Sequence, residues 1–371
     1  MIPIAQPMID EKEKENVLEV MDNGMLAGGE VVKKFEEEFC SFINCGYGAA
    51  TANGTTALHA ALKAVGIEEG DQVLTTPFTF IATSNALLFC GAQPVFVDIK
   101  RDTFNLDPGL IEEKLQENPE IKALLIVHLY GQPCDMDRIR NLVEKYDIML
   151  IEDCAQAHGA SYDGRKVGTF GDVGVYSFYP TKNMTTSEGG IVVSDNKKVI
   201  ERVRHFINHG ATGNYHHEFL GYNYRMTNLE AAIGRAQLKK LTKFNQKRCQ
   251  NARFFAHELQ GLDWLQLPVT GKNRRHVFHL YTVRVKEREE FVNYLGKNDI
   301  GCGIYYPLPI YKQPLYKKRG LGNINLIEAE SAAREVVSLP VHPALTKKEC
   351  QHIVKVVKSF ASRYEGELFV N

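Results

Sequence analysis

The stretch ALLIVHLYG at residues 123–131 and the stretch IMLIED at residues 148–153 decide the fold. Each is a short continuous apolar run, and a helical segment that begins near Asp135 separates them. Continuous apolar strands that alternate with helices are typical of a parallel sheet covered by helices on both faces. The same pattern extends outward through VLTT (73–76), PVFVDI (94–99), VGVYSFY (173–179) and IVVSD (191–195). The sequence therefore predicts one large α/β domain.

Capping signals place helices before and after these strands. Asp10 with Glu13, and Thr227 with Glu230, have the spacing of a capping box, in which two side chains satisfy free N–H groups at a helix start. The first pair predicts an N-terminal helix and the second pair predicts a long helix that follows the last strand of the domain.

The pattern changes after about residue 248. Strands are predicted at HVFHLYTVRV (276–285) and IGCGIYY (300–306), with helices between and after them. We therefore predict a large domain over residues 1–248, N-terminal helices included, and a smaller α+β domain over residues 249–371. The boundary is soft because no Gly/Ser-rich or Pro-rich linker separates the two parts.

Composition excludes several function classes. The 44 Lys plus Arg and 45 Asp plus Glu give a formal charge of −1, so the chain lacks the basic excess typical of nucleic-acid binding. The eight cysteines form no CxxC pair, so we expect no metal site and a reduced, cytoplasmic location. The longest apolar runs are too short to cross a bilayer, so we expect no membrane association.

Two polar signals lie at the expected edge of the sheet. Asn53-Gly54-Thr55-Thr56 precedes an Ala/Leu-rich helix, and free N–H groups at a helix start can hold an anion, although a plain N-cap explains the same residues. Asp153 ends the run IMLIED, at the carboxyl end of a buried strand, where ligands bind in open α/β sheets. A structural ion pair or helix cap is the alternative for Asp153.

Two further signals have the same position relative to strands. Lys182 follows an apolar strand in a polar turn, and a lysine desolvated there can act as a nucleophile toward carbonyl groups, although most lysines are solvated. Phe80 follows VLTT and can stack on a flat ring, although core packing is the common role of a Phe. An anion cradle, a carboxylate, a nucleophilic lysine and an aromatic plate together are what pyridoxal 5'-phosphate (PLP) requires.

Six segments then identify a family. The chain resembles the DegT/StrS family of nucleotide-sugar aminotransferases, fold-type-I PLP transferases with a large, mostly parallel sheet domain and a smaller α+β C-terminal domain. The segments that carry the resemblance are ANGTTALHAAL (52–62), TTPFTFIATSNAL (75–87), HLYGQPCDMD (128–137), IEDCAQAHGA (151–160), YSFYPTKNMTTSEGG (176–190) and GYNYRMTNLEAAIG (221–234).

The resemblance implies roles for residues around the cofactor. Lys182 is expected to form the Schiff base with PLP and to move the proton, and Asp153 to pair with the pyridinium nitrogen. Gln156 is expected to contact the 3′ oxygen or cover the ring. The phosphate is expected to be bound by Gly54, Thr55 and Ser177.

The resemblance also implies a homodimer with shared active sites. Asn228 is expected to reach the partner's phosphate, although the simpler alternative is a residue in the first turn of a helix. His216 and His217 are expected to project toward the partner's sugar pocket, with a solvated pair as the alternative. Tyr305 and Tyr306 occupy the substrate-side segment.

The expected reaction is a ping-pong transfer of an amino group from L-glutamate to a keto carbon of a nucleotide-linked hexose. Lys182 argues against the family's sugar 3-dehydratases, which have histidine at that position. The SFYPTKN form slightly favours amination at C3 over C4. Aminotransfer to another cyclic ketone such as an inosose, and a noncatalytic sensor with the same fold, are the alternatives.

Overall fold

The computed structural model describes the backbone of residues 1–367 and the side chains of residues 1–360. Its strands are β1 (Tyr47–Thr51), β2 (Gln72–Thr75), β3 (Gln93–Phe96), β4 (Ile121–Val127), β5 (Met149–Asp153), β6 (Ser161–Tyr162), β7 (Arg165–Lys166), β8 (Val173–Ser177), β9 (Gly190–Ser194), β10 (Ala211–Gly213), β11 (His216–His217), β12 (Leu265–Gln266), β13 (Arg274–Arg275), β14 (Tyr281–Val285) and β15 (Val336–Leu339).

Its α-helices are α1 (Glu11–Asp22), α2 (Glu30–Ile43), α3 (Gly54–Ala64), α4 (Ala82–Phe89), α5 (Pro108–Glu117), α6 (Met136–Tyr146), α7 (Lys197–Phe206), α8 (Asn228–Leu259), α9 (Arg288–Lys297), α10 (Pro314–Lys318), α11 (Ile327–Glu335) and α12 (Lys347–Glu367). Both predicted capping boxes are present, at Asp10 with Glu13 and at Thr227 with Glu230. Within the described residues, none of the helices combines the length and the apolar content that a bilayer crossing needs.

A seven-stranded sheet in the order β1-β9-β8-β5-β4-β2-β3 forms the centre of the protein. The pairs between β8, β5, β4, β2 and β3 are parallel, and β9 is antiparallel to both of its neighbours. Leu125 packs into a core with α3, α4 and α7, whereas Leu124 and Ile126 pack into a core with α5 and α6. Side chains of β4 alternate between these two cores. Both faces of the strand are therefore buried, which explains why β4 is apolar throughout.

A separate core contains residues from the carboxyl-terminal part of the chain and Ile2. It joins the end of α8 to β14, β15, α9 and α12. The first half of α8 packs in a core with α2, β1, β8 and β9, and its end packs in the carboxyl-terminal core. Residue 248 lies inside α8, which runs 32 residues without a break, so the boundary predicted between residues 1–248 and 249–371 falls within a continuous helix.

The predicted strands after residue 275 were partly wrong. Only Tyr281–Val285 of the first is a strand, and the residues before it form a loop. The second, 300–306, makes only two isolated bridges, between Ile300 and Ile2 and between Gly303 and Ser338. Glycines at 301 and 303 weaken a strand, and the following tyrosines line a cavity instead of pairing.

Candidate active site

A cavity of about 880 Å³ opens at the carboxyl ends of the parallel strands. Most of the predicted site residues line it, namely Gly54, Thr55, Phe80, Asp153, Gln156, Ser177, Lys182, Tyr305 and Tyr306. Its volume falls in the usual range for small-molecule sites, about 300–1,000 Å³. Residues distant in the sequence are therefore assembled at one place by the sheet.

The start of α3 presents free N–H groups to this cavity. Asn53 caps the helix, and its side chain accepts a hydrogen bond from Thr56 N at 2.9 Å. Gly54 N and Thr55 N have no acceptor among the described residues. A Cβ on Gly54 would lie 2.6 Å from Ser177 Cβ, so only glycine lets the helix start approach this serine so closely. The N–H groups of Gly54 and Thr55 and the hydroxyl of Ser177 thus lie at one end of the cavity, an arrangement that suits a phosphate.

Asp153 is the last residue of β5 and is only 4% exposed. Thr83 Oγ1 donates to one carboxylate oxygen at 2.8 Å and Ala155 N donates to the other at 3.0 Å. Burial raises the pKa of the Asp153 carboxyl, and these two hydrogen bonds and the charge of Lys182 oppose the rise. A cation in the cavity would stabilise the charged form further, as a protonated pyridine nitrogen does.

Lys182 lies in the turn after β8, where its backbone N–H bonds to Tyr179 O at 2.9 Å. Burial lowers the pKa of its amine to about 8, and the charge of Asp153 acts in the opposite direction. Within the described chain its Nζ has no ion-pair partner and no hydrogen-bond acceptor. The lowered pKa makes the free, nucleophilic amine far more populated near neutral pH than in a solvated lysine.

Gln156 and the tyrosines form the opposite rim. Gln156 accepts a hydrogen bond from Tyr130 N at 2.7 Å and donates to Tyr306 OH at 3.0 Å. The Tyr130 hydroxyl donates to Tyr305 O. The ring of Phe80, which is 56% exposed, lies 6.3 Å from the ring of Tyr306. This rim is aromatic, and Gln156 is held in one orientation by its two bonds.

Three predicted residues lie elsewhere in the single chain. Asn228 is buried, where its Nδ2 donates to Met25 O at 2.7 Å and its Oδ1 accepts from Val32 N at 3.2 Å. His216 and His217 are exposed on the β10–β11 hairpin, away from the residues that line the cavity. Their predicted contacts with a partner's site stay predictions.

Among the cavity residues that sequence reasoning missed, three bear on the chemistry. Thr83 holds Asp153, and Arg248 and His279 form part of the wall opposite the sheet. Thr83 carried a weak signal, since it lies in the segment after β2 that points to the same sheet edge. Arg248 lies within a long polar helix and His279 in a segment that the apolar pattern assigned to a strand, so neither carried a signal.

A buried cluster lies directly behind the site. Ligand-type atoms of His128, Glu152 and Cys154 lie within 4.8 Å of one another. Glu152 accepts from His128 Nε2 at 3.0 Å and from the N–H groups of Gly168, Phe170 and Gly171 at 2.7–2.8 Å. Both carboxylate oxygens are therefore occupied, and the cluster anchors the 168–171 loop.

Comparison with known proteins identifies the class and then the family. DesV of S. venezuelae, solved in complex with a ketimine intermediate, has a TM-score of 0.92 and 36% identity, covering 95% of this chain and 94% of that one. The model of the DegT/DnrJ/EryC1/StrS aminotransferase family matches residues 7–358. The chain therefore belongs to this family and is a PLP-dependent aminotransferase of the predicted α/β fold.

Two curated relatives align over nearly the whole chain. GDP-perosamine synthase of Escherichia coli O157:H7 is 37% identical over 374 residues, which cover 97% of this chain and 99% of that enzyme. UDP-N-acetyl-3-dehydro-alpha-D-glucosamine 3-aminotransferase of Acidithiobacillus ferrooxidans is 37% identical over 364 residues, covering 95% and 97%. The predicted family, enzyme class and cofactor are confirmed.

Proposed function

We propose that this aminotransferase moves the amino group of L-glutamate to a keto carbon of a nucleotide-linked hexose in a ping-pong reaction, with C3 favoured over C4. The observation that carries the proposal is the 880 Å³ cavity, in which Lys182 and Asp153 occur together. The names of the relatives support a nucleotide-sugar substrate, and one of them names the 3-position. The SFYPTKN segment favours the same carbon.

The cavity residues fit PLP at both of its ends. Gly54, Thr55 and Ser177 would bind the phosphate through unpaired amides and a hydroxyl. Asp153 would hold the proton on the ring nitrogen. When bound, PLP supplies an electron sink for the carbon that carries the amine.

Lys182, Gln156 and Phe80 would act around the ring. The Nζ of Lys182 would take the proton from the substrate carbon, because its lowered pKa keeps part of it unprotonated. Gln156, held by Tyr130 N and Tyr306 OH, would contact the 3′ oxygen of PLP or cover its ring. Phe80 offers an exposed aromatic face at the mouth of the cavity, and its stacking on the ring would exclude water from one side.

Tyr305 and Tyr306 would contact the sugar. Both line the cavity, and the ring of Tyr306 lies between Phe78 and Phe80 at centroid distances of 6.2 and 6.3 Å. Aromatic rings and their hydroxyls suit a hexose, which offers apolar C–H faces as well as hydroxyl groups.

A homodimer with shared sites is part of the proposal. Asn228 donates one Nδ2 proton to Met25 O within its own chain, and its second Nδ2 proton would be the donor for the partner's phosphate. Mixing Lys182→Ala subunits with Asn228→Asp subunits tests this, since heterodimers would contain one site with both native residues. Recovery of activity on mixing is expected. Two inactive parents that stay inactive when mixed would contradict shared sites.

The cytoplasm is the proposed compartment. All eight cysteines are free thiols in the structure, five of them buried. Free thiols in such number suit a reducing environment.

The decisive experiment supplies the purified holoenzyme with L-glutamate and a panel of keto-sugars. The panel contains nucleotide-linked 3-keto and 4-keto hexoses and an inosose, and product NMR locates the new amine. We expect turnover of a nucleotide-linked sugar, with the amine at C3. Turnover of the inosose alone would establish the alternative cyclic-ketone reaction, and a holoenzyme that does not take the amino group from glutamate would favour the noncatalytic sensor.

A further inference from the structure

Arg248 is a buried cation without an acidic partner. Its side chain is 4% exposed, and it lies in the middle of α8. Among the described residues, no carboxylate lies within 4 Å of its guanidinium. By contrast, the equally buried Arg284 is paired with Glu335 at 2.8 Å. A buried charge without compensation is costly, so an unpaired arginine is unusual in a finished fold.

The guanidinium of Arg248 borders the active-site cavity with donors to spare. Its Nη1 donates to Phe278 O at 3.2 Å and to His279 O at 3.0 Å. Its Nε is enclosed and lacks an acceptor, and no other bond from this side chain is formed within the described chain. Two carbonyls therefore fix the position of the group and leave its charge available to an anion.

Contacts connect Arg248 to the segment that contains the reacting amine. Its Nη1 donates to the carbonyl of His279, and the ring Nδ1 of His279 lies 3.2 Å from Oδ1 of Asn183, the residue next to Lys182. Arg248 and Lys182 both line the same cavity. An anion bound by Arg248 would therefore share this cavity with the amine of Lys182.

We propose that Arg248 binds the α-carboxylate of the amino donor. This inference rests on the proposed amino-acid donor and names the side chain that selects it. The α-carboxylate is bonded directly to the carbon that carries the amine, so its receptor has to lie next to Lys182. The phosphates of a nucleotide sugar are several bonds from the keto carbon and do not meet that requirement.

The two half-reactions separate this role from a structural one. In Arg248→Lys and Arg248→Met holoenzymes, kcat/KM for L-glutamate should fall by roughly 10- to 10³-fold, the range of a lost charge-assisted hydrogen-bond pair. The second half-reaction, in which the pyridoxamine form aminates the keto-sugar, should change by less than roughly threefold. Arg253→Met, on the exposed side of the same helix, is the matched control.

4-Aminobutyrate sharpens the test, because it is glutamate without the α-carboxylate. The native enzyme should prefer glutamate strongly, and the Arg248 variants should lose most of that preference. Binding of 2-methylglutamate, which has no proton to lose at the amine carbon, gives a readout without turnover and should weaken in parallel. Equal losses in both half-reactions, or equal losses with glutamate and 4-aminobutyrate, would overturn the assignment.

Failure of the proposed function gives a different result. If the native enzyme accepts the amino group of glutamate but aminates no nucleotide sugar, the sugar assignment fails and the comparison of glutamate with 4-aminobutyrate still tests Arg248. If Arg248→Met does not fold, Arg248→Lys retains the charge and provides the same comparison.

Discussion

The two walls of the cavity are built in different ways. The sheet wall contains Gly54, Asp153, Ser177 and Lys182, each at the end of a strand or just beyond one. The opposite wall contains Arg248 from the middle of a helix and His279, Tyr305 and Tyr306 from loops. The first wall is fixed by strand register, and the second by the packing of the carboxyl-terminal part of the chain against the sheet.

The two walls also differ in the hydrogen bonds and counter-charges that surround their buried charged side chains. Asp153 receives two hydrogen bonds from its own side of the sheet and faces the amine of Lys182. Arg248 donates only to backbone carbonyls and, among the residues whose side chains are described, has no carboxylate partner. We therefore expect the sheet wall to serve both half-reactions and the opposite wall to serve recognition of the substrates.

Lys182→Ala should have the largest effect and break both half-reactions. The nucleophile and the proton carrier disappear together, so turnover should fall by roughly 10⁴-fold or more. Steady-state assays and the visible absorption of the bound cofactor measure it, with circular dichroism to confirm folding. Lys197→Ala, on the exposed face of α7, is the control. Turnover within tenfold of native would disprove the role of Lys182.

Asp153→Asn should slow both half-reactions by roughly 10²- to 10⁴-fold, because the protonated ring nitrogen of PLP would lose its buried counter-charge, a loss that costs about 3–5 kcal/mol. The amide keeps the shape of the side chain but carries no charge. Stopped-flow absorbance of each half-reaction measures the effect, and Thr83→Val, which removes one hydrogen bond to the same carboxylate, should cost less. An unchanged rate would make Asp153 a structural residue.

The sequence indicated the residues of the sheet wall but not those of the opposite wall. Asp153 and Lys182 could be placed because the carboxyl ends of parallel strands meet at one edge. Arg248 and His279 could not, since their positions depend on how α8 and the 276–280 loop pack on the sheet. The predicted strand at 300–306 failed for a related reason, because its tyrosines turn toward the cavity.

Gly54→Ala should have a smaller effect that is confined to the cofactor. A Cβ 2.6 Å from that of Ser177 would push α3 away from β8 and open the phosphate cradle. Strain of about 1–3 kcal/mol would weaken PLP binding by roughly ten- to a hundredfold. Fluorescence titration of the PLP-free protein measures it. Gly296→Ala is the matched control, because its added Cβ meets nothing within 4 Å. Equal PLP affinity in both variants would contradict the cradle.

The smallest predicted effect concerns pH and tests the sheet wall alone. Burial lowers the pKa of Lys182 to about 8. In the PLP-free protein, the fraction of Lys182 present as free amine should therefore increase with pH with a midpoint near that value, and the rate of its labelling by acetic anhydride should increase in parallel. A free lysine amine, with a pKa near 10.4, serves as the internal standard. Since the charge of Asp153 raises the pKa of Lys182, Asp153→Asn should move the midpoint to lower pH. A midpoint equal to that of the standard would mean that water reaches Lys182 freely, and the amine would then lack the desolvation on which its reactivity depends.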